Sequence, residues 1–136
     1  MAFAGMNYLA ILVAAVAAFA WGAAYYMTLS KQWLAAVGRV EPNKSPTPFI
    51  ISFVALVVMG FVLAGSIGHL GPGQVTVKNG IISGAILWAG FIVTTVFVNN
   101  AYPGRKYSLS VIDCGHWLGV LVIQGAVIGA MGVKGA

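Results

Sequence analysis

Four apolar stretches of membrane-crossing length constrain this chain more than any other feature. They run over residues 7–29, 47–70, 79–102 and 108–131. A helix needs about 20 predominantly apolar residues to cross the hydrocarbon of a bilayer, because each residue rises only about 1.5 Å. In hydrocarbon every backbone polar group has to be paired within the structure, which favours helices for runs of this kind. Only 7% of the 136 residues are charged, against about 25% in a soluble domain. After four spans almost nothing remains for a soluble domain. The expected fold is all-α, a single polytopic transmembrane four-helix bundle over residues 1–136. The first run has no Lys or Arg ahead of it and exceeds a signal-peptide core, so it reads as a retained span.

The connections are polar, proline-bearing or glycine-bearing. Glu41-Pro-Asn-Lys-Ser-Pro-Thr-Pro48 excludes a regular helix interior, since proline removes a donor and clashes with the preceding turn. Pro48 suits the first turn of the second span. Lys31-Gln-Trp-Leu-Ala-Ala-Val37 either extends the first helix or lies along the interface. Lys31, Arg39, Lys44, Arg105 and Lys106 fall in the first and third loops, and Lys78 and Lys134 fall on the other side. This asymmetry predicts that both termini lie outside the cytoplasm of a bacterial inner membrane. The net charge of +5 then reflects helix orientation and anionic lipid headgroups, and no nucleic-acid partner is expected.

Asp113 is the one acidic residue inside an apolar run. Such a residue costs roughly 2.5–3.5 kcal/mol on insertion scales and seldom faces lipid. His116 is three positions on and shares its helical face, and Gln124 returns to that face about three turns later. Alternate crossing brings the ends of spans one and three to the start of span four. Trp21, Tyr25, Asn99 and Asn100 are therefore expected near the depth of Asp113 and His116, as one intramembrane polar cluster. Ala14, Ala18, Trp21, Tyr25 and Thr28 share a face of the first helix, whereas Tyr26 suits an aromatic belt at the membrane surface. Trp88, Ile92, Thr95 and Asn99 share a face of the third. Gly80/Gly84, Gly115/Gly119 and Gly125/Gly129 are small-xxx-small pairs that let helices or subunits approach closely.

Three roles are open to the cluster. It can fix helix register, with Asp113 accepting from His116, Asn99, Tyr25 or the Arg105-Lys106 turn. It can relay protons or bind a cation, which in so small a bundle requires an oligomer. It can act as a general base pair at the membrane surface. The third is disfavoured, because the chain has no nucleophile elbow, HExxH, phosphate loop or CxxC. Cys114 is the only cysteine, so no intrachain disulfide or Cys-based metal site is expected. No cofactor, metal or catalytic residue is expected either. The partners expected are membrane lipid, further copies of the chain, or a larger membrane complex.

Asn7-Tyr-Leu-Ala-Ile-Leu-Val-Ala-Ala15, Trp21-Gly-Ala-Ala-Tyr-Tyr26 and Lys31-Gln-Trp33 open the chain. Asn99-Asn-Ala-Tyr102, Ile112-Asp-Cys-Gly-His-Trp-Leu-Gly119 and Gln124-Gly-Ala-Val-Ile-Gly129 close it. In that order these motifs resemble the bacterial domain of unknown function 1761 family over nearly the whole chain. The resemblance implies a four-helix membrane protein and no particular activity. That family often has an aromatic residue where this chain has His116, so the resemblance implies no ionisable role there, while Asp113 fits the pattern. Small multidrug transporters need a glutamate in the first span, and this chain has none.

Overall fold

The structure is a computed structural model that describes residue 3 and residues 5–133. The described residues form helices joined by turns, with no strand among them. In chain order they are α1 (Tyr8–Thr28), α2 (Ser30–Val37), α3 (Thr47–Gly68), α4 (Val77–Leu87), α5 (Val93–Ala101) and α6 (Tyr107–Met131). A π-helical turn, Trp88–Ile92, joins α4 to α5. Together Val77–Ala101 make one continuous span of 25 residues. With α1, α3 and α6 there are four helices long and apolar enough to cross a membrane, and the all-α four-span architecture is present.

Local chemistry sets the ends of these helices. The Asn7 side chain accepts the Ala10 N–H at 3.1 Å and caps α1. Its amide also donates to the Gly132 carbonyl at 3.3 Å, tying the start of α1 to the end of α6. Pro48 occupies the first turn of α3, where its missing N–H would have had no helical partner. The Thr76 hydroxyl accepts the Asn79 N–H at 3.1 Å and starts α4. α2 is a separate helix after a break at Leu29 and does not prolong α1. Gly38 ends it at φ 84°, a left-handed conformation that a side chain would strain.

α6 is the centre of the bundle. It packs along both α1 and α4, which make no packing contact with each other, and α3 lies chiefly against α1. Two different surfaces of α6 carry this load. On one, Gly125 and Gly129 meet Gly80 and the Thr76–Val77 backbone, and Gly84 meets the Leu121 carbonyl. These are backbone-to-backbone contacts with no room for a Cβ atom on either side. On the other, Gly115 and Gly119 leave slots for side chains, Tyr25 over Gly115 and Trp21 over Gly119. The two glycine pairs of α6 thus serve different neighbours within the same chain.

The interior is small. Ile11, Ala14, Leu63, Ile67, Leu121 and Ile128 form one buried cluster, and Ala15, Ala18, Leu56 and Val120 another. Large apolar side chains such as Phe49, Ile50, Ile51, Val54 and Val58 of α3 point outward, as expected where lipid is the solvent.

The π turn rotates the rest of its span. A regular helix puts Trp88, Ile92, Thr95 and Asn99 on one face. A π turn inserts one extra residue, so beyond it each inward position falls one residue later. Ile92 keeps its inward place, whereas beyond the turn Val96 and Asn100 are half-buried and Thr95 and Asn99 are exposed.

Candidate functional site

The ends of α1 and α5 meet the beginning of α6, as alternate crossing requires. Four aromatic donors of α1 and α4–α5 converge there on α6. Trp21 Nε1 donates to the His116 carbonyl at 3.0 Å. Tyr25 Oη donates to the Ile112 carbonyl at 2.6 Å. Trp88 Nε1 donates to the Cys114 carbonyl at 2.7 Å. Tyr26 Oη donates to Asp113 Oδ1 at 2.7 Å. A carbonyl oxygen has two lone pairs, so the first three bonds leave the helical pairing of α6 in place.

The donor to Asp113 is therefore Tyr26, which the sequence placed in the surface belt, and not Tyr25. The two are adjacent on α1 and about 100° apart around it. Tyr25 drops onto the backbone over Gly115, while Tyr26 reaches the carboxylate. Trp33 of α2 packs edge-on against Tyr26, their ring centroids 6.0 Å apart. The basic turn does not supply the partner: Lys106 Nζ instead donates to the Ala35 carbonyl of α2 at 3.4 Å.

His116 sits one turn further in, boxed by three rings. Tyr26, Trp117 and Tyr25 lie 4.8, 4.6 and 5.9 Å away, centroid to centroid. Its Nε2 faces Gly22, where a Cβ atom would come within 2.8 Å. Its Nδ1 is buried and has no hydrogen-bond partner among the described residues. Gly22→Ala is accordingly expected to push the imidazole off its seat and cost about 1–3 kcal/mol, as overpacking does. Steric trapping or thermal unfolding of the variant in detergent reads this directly. An unchanged transition would mean that His116 moves without penalty.

The remaining residues of the expected cluster lie apart from the carboxylate. Asn100 Nδ2 donates to Ser110 Oγ at 3.1 Å, joining α5 to α6 one turn before Asp113. Asn99 faces outward, rotated there by the π turn. Gln124 is fully buried three turns deeper, its Nε2 donating to the Leu56 carbonyl of α3 at 2.8 Å. Its Oε1 is unpartnered among the described residues. Of the α1 face, Ala14 and Ala18 are fully buried, whereas Thr28 is exposed and its hydroxyl returns to the Ala24 carbonyl. Among the described residues no three His, Cys, Asp or Glu side chains converge in a metal-binding group.

A family model described as protein of unknown function (DUF1761) matches residues 9–129. The chain belongs to the DUF1761 family. The matched region takes in all four spans of this DUF1761 protein but for one residue at the start of the first and two at the end of the fourth, and every side chain of the Asp113 site. Comparison with curated proteins and with solved structures finds no match.

Trp88 is the functional-site residue that sequence reasoning placed only on a helix face. Its partner is a backbone carbonyl, which no residue letter marks. The usable signal was chemical: Trp88 lies in the middle of a span, and a buried indole N–H usually finds an acceptor.

Proposed function

We propose that this DUF1761 protein is a non-catalytic accessory or self-associating subunit of a bacterial inner-membrane assembly. In this reading both termini lie outside the cytoplasm, and the Asp113 site fixes the register of the helices. One observation carries it. The indoles of Trp21 and Trp88 and the hydroxyls of Tyr25 and Tyr26 all end on α6. Polar groups at that depth are engaged in joining helices. Interhelical hydrogen bonds in membranes average about 0.6 kcal/mol, so such a set favours one packing over its alternatives more than it adds stability.

Asp113→Asn tests the reading. The amide keeps an oxygen for Tyr26 and removes the group that can ionise. The expected result is a change in assembly or thermal stability worth about 1 kcal/mol, with proton and cation flux in proteoliposomes unaltered. A second reading, transport of protons or cations by an oligomer, draws on a different observation. The buried Nδ1 of His116 and Oε1 of Gln124, on the same helix, have no partner among the described residues. Loss of flux in Asp113→Asn with assembly intact would favour transport and defeat the accessory role.

A further inference from the structure

The end of the bundle that holds the Asp113 site also carries an exposed cationic rim. Lys31, Arg39, Lys44, Arg105 and Lys106 are all exposed. The Lys106–Ala35 hydrogen bond brings the α5–α6 turn against α2, so the two basic segments form one surface. Glu41 is the one acid in these loops. At the opposite end, among the described residues, the cation is Lys78. Two tyrosines flank the basic turn with their rings outside the bundle, Tyr102 being 90% and Tyr107 76% exposed. Tyrosine rings at this level sit comfortably among lipid headgroups, with an apolar body and a polar tip.

We propose that the rim formed by α2 and residues 102–107 binds the phosphate headgroup of an anionic phospholipid. Arg105 and Lys106 supply adjacent charges, of which the guanidinium matches phosphate oxygens in a two-pronged geometry. Tyr102 and Tyr107 bracket the headgroup. Charge complementarity commits this surface to an anionic lipid over a zwitterionic one. The inference is independent of the accessory role, because the rim and the Asp113 site use different side chains.

Native mass spectrometry of the full chain in nanodiscs of equimolar phosphatidylglycerol and phosphatidylcholine is the test. Preferential retention of phosphatidylglycerol is expected. Arg105→Gln with Lys106→Gln should weaken it by roughly 25-fold, about fivefold for each cation removed. Lys78→Gln, at the other end, should leave it unchanged. Equal retention of the two lipids, or an equal loss in Lys78→Gln, would overturn the proposal. If the double variant fails to fold, the unmodified protein still decides. Bound phosphatidylglycerol should fall as salt rises from 0.1 M to 1 M and the screening length shrinks from about 10 Å to about 3 Å, and insensitivity to salt would count against the rim. Retention of inorganic phosphate by the protein together with equal retention of the two lipids would assign the surface to a soluble anion and reject the lipid.

Discussion

Gly125→Val should destabilise this protein by about 3 kcal/mol, the upper end for overpacking. The reason is what the new side chain meets. A Cβ atom at Gly125 would fall on the carbonyl of Gly80, and one at Gly80 on the carbonyl of Gly125. Neither obstacle is a flexible side chain. Both are backbone inside a helix, so relief requires α4 and α6 to separate. The arrangement is reciprocal, each Cα turned toward the facing carbonyl oxygen, which suits weak Cα–H···O contacts at a helix interface. Gly80→Val should match Gly125→Val, and the double variant should cost less than the sum, because the first change has already parted the helices. Gly90→Ala is the control. Among the described residues nothing beyond its own stretch of helix lies within 4 Å of its Cβ position, so stability should shift by less than about 1 kcal/mol, and in the favourable direction. Thermal or denaturant unfolding in one detergent reads all four. A Gly125→Val protein as stable as the parent would mean that α4 and α6 do not meet in this register.

Trp21→Ala is expected to be nearly as damaging, at about 3 kcal/mol. The indole fills the slot over Gly119 and donates to the His116 carbonyl, so truncation leaves both a void and a carbonyl acceptor without its second donor. Trp21→Phe separates the two contributions. It retains a ring over Gly119 and loses only the N–H, which should cost about 1 kcal/mol. In a bilayer the difference reports packing above all, since lipid tails are as apolar as the helix interior. A Trp21→Ala variant that unfolds like Trp21→Phe would show the slot to be unimportant. Trp fluorescence cannot report this cleanly with Trp33, Trp88 and Trp117 present; backbone amide exchange across residues 112–119 can.

The spans were legible because length and apolarity decide them, and their limits in the structure differ from the expected ones by no more than about two residues. Pro48, Asn7 and Thr76 mark starts by chemistry that is visible in the letters. Trp21 facing inward was only half legible, since a position about two turns inside the end of its helix suits an aromatic belt and an inward role equally. The exchange of Tyr25 for Tyr26 at Asp113 was not. Adjacent residues differ by a rotation that depends on how α1 rolls against α6, and Gly115 and Gly119 set that roll. The π turn was equally hidden. Trp88-Ala-Gly-Phe-Ile92 has no letter that demands it, yet it moves Asn99 out and Asn100 in. Three of the four bonds that organise the site end on backbone carbonyls, so no pairing of residue types could have disclosed them.

The position of α6 in the chain has a consequence for how the protein is made. α1 and α4 have no contact with each other, and each is completed by α6, the last of the four spans to leave the ribosome. Until then the first three spans reside in the membrane with Trp21 and Trp88 lacking their acceptors and the Gly80 backbone uncovered. Consolidation therefore waits for α6 to enter the membrane. A nascent chain arrested before Tyr107 should remain a loose and protease-sensitive set of helices, and addition of α6 should lock it in one cooperative step.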